Sequence, residues 1–257
     1  MAATIPRQAV DFLTDEVNGI SADAQARVLR VLQEIRWTPE NVAECRDLVL
    51  QALAAVMPTY TDMAAQASAD FYDAERELAL GERLGAVSIS GYNPRKTEGA
   101  VRGFVRFVLR DDVQTCNDQV LQRIDYEMKR SANMSVVENG RRDPKRVRYA
   151  RVPTGAETCD FCLMLASRGF VYQSESTASA SHVHSSCDCR VVPGWDGMEV
   201  EGYDPQAIYD RWQDAIDAKA RERAERSGTT VSEERAAIMA GYGRAARNAK
   251  RAGRKSA

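Results

Sequence analysis

Histidine is scarce in this chain, with two in 257 residues. His182 and His184 are separated by a single valine. A Ser-His or Cys-His catalytic pair anywhere else in the sequence therefore has no histidine to use. The phosphate-cradling pattern G-x-x-x-x-G-K-[ST] is absent as well, and on these grounds the chain is not expected to be an enzyme. No segment approaches 18 uninterrupted apolar residues, so no membrane-spanning helix is expected. The start, Met1-Ala2-Ala3-Thr4-Ile5-Pro6-Arg7, lacks the charged and apolar regions of a secretory signal. Synthesis in the cytoplasm is the expectation, where thiols are kept reduced and clustered cysteines favour metal over disulfides. Nor does one sign of charge dominate. The formal net charge of -2 excludes a protein that coats nucleic acid over its whole surface, so any basic patch must be local.

What the chain does have is a concentration of soft ligands. Four of its six cysteines and both histidines lie between positions 159 and 189, as Cys159-x-x-Cys162 followed by His182 and His184-x-x-Cys187-x-Cys189. Two short segments with these spacings supply more ligands than a tetrahedral Zn²⁺ needs. The candidate metal ligands are Cys159, Cys162, His184, Cys187 and Cys189. The pattern leaves open whether the set is Cys₄ or Cys₃His, and whether His182 stands behind the ligands. The competing reading is a reduced, metal-free cluster, or disulfides formed after release into an oxidising environment. A catalytic zinc is disfavoured, because such sites keep an open position and add a general base. The zinc deaminases place H-x-E before C-x-x-C, whereas here the order is reversed and the glutamate is missing. Cys45 and Cys116 fall on apolar stripes and read as small core hydrophobes.

With 44% hydrophobic residues the chain can bury a core without relying on metal. The expected class is α+β: a mainly helical N-terminal half, a small α+β Cys/His domain, and a helical C-terminus. The expected boundaries are 1–140, 141–200 and 201–257. Thr38-Pro39-Glu40 predicts a capped helix start ahead of Val42, Cys45, Val49, Leu53 and Val56. Val101, Phe104, Val105, Val108 and Leu109 form a second apolar face, and Val113, Cys116, Val120, Ile124 and Met128 a third. Residues 87–94 between the first and second faces predict a loop or short strand. The basic run 141–151, broken by Pro144, marks a boundary. Short strands are predicted at 147–152, 169–172 and 190–193, a short helix directly after Cys162, a helix from Asp204-Pro205, and a last helix near Ser232. Toward the end, Arg244, Arg247, Lys250, Arg251, Arg254 and Lys255 follow Glu234 with no acid among them. These are candidate phosphate contacts, which would bind nucleic acid without reading sequence.

The order Arg151-Val152-Pro153, Cys159-x-x-Cys162, Ser167-Arg168-Gly169, His184-x-x-Cys187-x-Cys189 and Val191-Val192-Pro193 resembles the phage Mu F-like minor head proteins, in the variant common among tailed phages of actinobacteria. The resemblance covers the central fifth of the chain. It departs at Ser185 and Ser186, where the family often has proline and asparagine. It implies a minor capsid protein of the virion, made in the host cytoplasm, that associates with portal protein and capsid proteins during assembly and with no membrane, phage DNA being a further candidate partner during ejection. The alternatives are a zinc-stabilised DNA-binding module using 141–151 and the basic tail, and a capsid maturation protease, for which no nucleophile and base can be found.

Overall fold

The computed structural model describes residues 3–155, 158–178 and 188–254. Its elements in chain order are β1 (Thr4–Ile5), α1 (Arg7–Glu34), α2 (Val42–Leu80), α3 (Pro94–Phe104), a 3₁₀ turn (Val108–Arg110), α4 (Val113–Arg142), β2 (Arg148–Pro153), α5 (Asp160–Ala166), α6 (Glu175–Ala178), β3 (Cys189–Gly194), β4 (Glu199–Val200), α7 (Pro205–Ser227) and α8 (Val231–Arg254). The chain is mainly helical with two small sheets, consistent with the expected α+β class.

Long helices form where apolar residues recur every three or four positions. On α1 the buried stripe is Val10, Leu13, Val17, Ala24, Val28 and Leu32. On α2 it is Cys45, Val49, Leu53 and Met57, followed by a small-residue stretch, Ala64, Ala65, Ala67 and Ala69, where neighbouring backbones approach closely. Pro58 sits inside α2, and its neighbour Thr61 donates its hydroxyl to the Met57 and Pro58 carbonyls. Gly81 ends the helix in the left-handed region at φ 75°, donating its N–H to the Glu77 carbonyl.

The start of α2 differs from expectation. Asn41 accepts from the Thr38 N–H at 2.8 Å and donates to the Arg36 carbonyl at 2.8 Å. Those bonds hold 38–41 as a turn, and the helix begins at Val42 rather than behind Pro39. The second apolar face also splits, α3 stopping at Phe104 ahead of the 3₁₀ turn.

Helix α4 is the centre of the molecule. Asp112 caps it, accepting from Thr115 N–H at 3.0 Å. Its first half shows the expected stripe. From Glu127 to Val137 every residue is buried, polar ones included, because α1, α2, β3 and the 83–93 loop surround it. Glu127 and Lys129 bond neighbouring side chains, and three others are spent on backbone. Asn139 bonds both the N–H and the carbonyl of Val87, at 3.0 and 2.9 Å, so the segment 87–93 is a loop pinned like a strand edge, and α3 begins at Pro94. Arg130 donates to the Gly91 carbonyl at 2.6 Å, and Asn133 accepts from Val191 N–H at 3.2 Å. Gly140 is required where it stands: an added Cβ would lie 1.9 Å from the Tyr149 hydroxyl oxygen.

The helix runs to Arg142 across the expected boundary at 140, and one core cluster unites residues of all three expected segments. The side chain of Asp143, just past α4, is buried against Arg76 (2.8 Å) and accepts from the Tyr72 hydroxyl at 2.8 Å. Burial pushes the Asp143 carboxyl up, but bonds from Arg76, the Lys145 N–H and Tyr72 outweigh it and leave it below the usual range. Thus the expected boundary holds a central anchor.

Strands β2 and β3 pair antiparallel from Arg148 opposite Gly194 to Pro153 opposite Cys189. The strand expected at 169–172 reduces to a single bridge between Tyr149 and Tyr172. A turn with Gly169 at φ 65° aligns only that residue with β2. Strand β1 pairs parallel with β4, Ile5 opposite Val200, a contact between sequence extremes that no local pattern announced.

Candidate metal centre

The site is assembled from the ends of β2 and β3 and the start of α5. Beyond Pro153 the ladder continues by one bond, Thr154 N–H to the Asp188 carbonyl at 3.2 Å, which the Thr154 hydroxyl also reaches. The Asp188 carboxylate then grips the turn from the other side. Its Oδ2 accepts from the Gly155 N–H at 3.1 Å and from the Thr158 hydroxyl at 2.7 Å. A Cβ on Gly155 would lie 2.8 Å from the Asp188 Cβ, so this approach also requires glycine.

That bracket sets Cys159 as the cap of α5, with φ −65° and ψ 151°, its Sγ accepting the Cys162 N–H at 3.4 Å. One helical turn carries Cys162 inward. Its Sγ lies 3.0 Å from that of Cys189, the first residue of β3. Both residues are buried, with Tyr126 and Cys159 packed against them. Arg151 on β2 lies diagonally across the ladder from Cys189 and donates to its Sγ at 2.7 Å. The Arg151 side chain is 0% exposed, and a guanidinium taken out of water requires negative charge beside it. The Cys189 sulfur is the acceptor that the structure sets beside it.

Of the expected ligands, the structure brings together Cys162 and Cys189, with the Asp188 carboxylate completing a cluster whose ligand atoms all lie within 4.8 Å. Cys159 falls outside that cluster, at the helix cap. His184 and Cys187, with His182, lie outside the described residues. Cys45 and Cys116 are buried in the core away from the site, at 5% and 1% exposure, and burial pushes the Cys116 thiol up to about 11.

The fit to a metal can be judged from the sulfur pair. At 3.0 Å they are too far apart for a disulfide. They are closer than the roughly 3.8 Å that two thiolates at about 2.3 Å from a tetrahedral Zn²⁺ would keep. Thiolates and a carboxylate are donor types that a zinc ion accepts.

The surroundings fix the site in the fold. Asp160, which opens α5, accepts from Lys219 on α7 at 2.7 Å and from the Tyr242 hydroxyl on α8 at 3.0 Å. Burial raises its carboxyl, and these two bonds more than offset that, holding it below the usual range. At the other end of α5 the Tyr172 hydroxyl donates to the Leu165 carbonyl at 2.6 Å and Tyr203 to that of Ala166. On the opposite sheet face Arg190, also buried, reaches Thr14 and Asn18 of α1.

The geometry also places the basic residues. Arg151, counted with the 141–151 basic run, is internal and bonded to Cys189, so it is closed to phosphate. Arg235, at the start of the basic tail, pairs with Asp217 of α7 at 2.6 Å. Arg244 is exposed on α8. The α8 backbone includes Arg247, Lys250, Arg251 and Arg254, and Lys255 lies outside the described residues. Among the described residues no helix is long and apolar enough to cross a membrane.

Comparison with known proteins bears on the same region. The chain is 28% identical over 216 residues to the Gene 15 protein of Mycobacterium phage D29, covering 68% of this chain and 76% of that protein. No solved structure matches it. The family described as VG15 protein matches residues 4–215, from β1 through β2, α5 and β3 into α7. With most of its length and the whole cysteine-bearing segment inside that match, the chain belongs to the VG15 protein family, a family of phage proteins.

Proposed function

We propose that the chain is a minor structural component of a tailed-phage head, not a catalyst, and that it associates with portal and inner capsid proteins during assembly. In this reading one structural Zn²⁺ closes the cysteine knuckle. Cys159, Cys162 and Cys189 would hold it, with His184 or Cys187 as the fourth ligand. When bound, the metal supplies a cross-link between the start of α5 and the start of β3. The protein's own groups do the rest. Arg151 balances thiolate charge, Asp188 holds Gly155 and Thr158, and Asp160 ties the motif to α7 and α8.

The observation that carries the reading is the closure of Cys162 on Cys189. One cysteine from each of the two motifs behind the Mu F-like resemblance supports it, the pair lying inside the segment shared with the phage family. Quantitative mass spectrometry of purified, chemically cross-linked virions of the encoding phage tests it. The chain should be present at few copies relative to the major capsid protein and cross-linked to the portal. Its absence from assembled heads would overturn the proposal.

A further inference from the structure

Away from the cysteines, α1 and α2 leave an open cleft of about 500 Å³ between them. Its walls are apolar, formed by Leu13, Phe71 and Phe12, the last 68% exposed despite its size. Its charged groups are all acids, with Gln8 the neutral polar side chain among them: Glu16 and Asp70 are exposed, while Glu75 lines the cleft at 3% exposure. Glu75 makes no hydrogen bond or ion pair among the described residues, and its Oε2 is sealed from solvent. Its neighbour Arg76 gives no relief, being engaged by Asp143 and Glu82.

A buried carboxyl without a partner is costly, and folded proteins satisfy nearly all such groups. Burial pushes Glu75 up to about 7, so near neutral pH it is poised to ionise when a cation arrives. The cleft thus offers one desolvated acid, two acids in solvent, and an aromatic surface on which a guanidinium can lie.

From this cleft we infer a docking site for a segment of a partner protein that inserts an arginine or lysine, flanked by apolar residues, onto Glu75. Charge selects the occupant: three acids and no base line the site, and apolar walls accommodate the flanks. An open groove between two long helices is a recurrent seat for such a segment, and arginine is a frequent anchor at interfaces. This inference is independent of the zinc knuckle and of the virion reading.

Full-length, isotope-labelled protein would be titrated by NMR with three probes: the peptide acetyl-Ala-Leu-Arg-Leu-Ala-amide, the same peptide with norleucine for arginine, and hexylammonium. The arginine peptide should shift resonances of Phe12, Phe71 and their neighbours and bind about tenfold more tightly than either other probe. Glu75→Gln should remove that advantage. Phe12→Ala and Asp70→Asn, both exposed changes, should weaken binding severalfold in folded protein, which keeps the test decisive if Glu75→Gln misfolds. Equal binding of the arginine and norleucine peptides, or no shifts in the cleft, would overturn the inference. Hexylammonium binding as tightly as the peptide would also overturn it, by showing a small-cation pocket.

Discussion

In the α1–α2–α4 bundle, buried apolar stripes from three long helices converge, and a buried ion pair, Arg76 with Asp143 and Tyr72, is set into them beside the polar bonds of α4. In the cysteine-bearing segment the proportions reverse. A two-stranded ladder and a seven-residue helix are held by Asp188 to Gly155 and Thr158, Arg151 to Cys189, Asp160 to α7 and α8, and a sulfur pair. Many interchangeable contacts stabilise the first region, each side chain contributing about 1.5–3 kcal/mol when buried. A few directional contacts define the second, so changing one of them should alter local order more than global stability. A metal would matter most there.

The largest effect should come from breaking the bundle's polar anchor. Asp143→Ala leaves Arg76 buried without its carboxylate and should cost about 3–5 kcal/mol in urea unfolding. Because the folded Asp143 carboxyl is depressed, its contribution is present above the usual carboxylate range and is lost as pH falls through it. Wild-type stability should therefore drop below about pH 4 more steeply than that of the variant. A cost under about 1 kcal/mol would show that the anchor is no stronger than a surface pair.

Next in size, and opposite in sign, is Glu75→Gln. Its folded carboxyl is raised to about 7, so native protein binds the proton more tightly than unfolded chain and stability falls as pH rises from about 4.5 toward 7. The variant should be more stable than wild type by up to roughly 2–3 kcal/mol at pH 8. The gain should vanish near pH 4, as read from paired melting curves. A constant difference across that range would contradict the buried-acid account.

The smallest effect belongs to the cysteine segment. Thr158→Ala removes one bond to Asp188 and should cost on the order of 1 kcal/mol. Hydrogen exchange should nevertheless rise at the start of α5 while α4 stays protected. Equal loss of protection in both would erase the contrast between the two regions.

The contrast also tracks what could be read from sequence. The stripe from Val113 to Met128 and the strand pattern around Val152 and Val191 place α4, β2 and β3, because periodicity records which face is buried. The second half of α4 is different: Arg130, Asn133 and Asn139 are buried through bonds to backbone far away in sequence, which no period reveals. Cys162 and Cys189 were legible from ligand spacing. Arg151 was not, since a charged residue in a basic run signals surface, and its partner depends on a strand register that spacing does not encode. Asp188 and Asp160 were hidden in the same way, each adjacent to a cysteine yet working through long-range partners. The β1–β4 pairing, two residues per strand, carries too little pattern to detect.

The most direct test is zinc per chain, by elemental analysis of protein purified under reducing conditions, beside Cys162→Ser and Cys189→Ser variants. The account predicts about one zinc per wild-type chain, lost in both variants together with order in the segment from β2 to β3, while the helical bundle persists. Well-folded wild-type protein that contains no zinc, and whose cysteine segment is as ordered with chelator as without it, would contradict it.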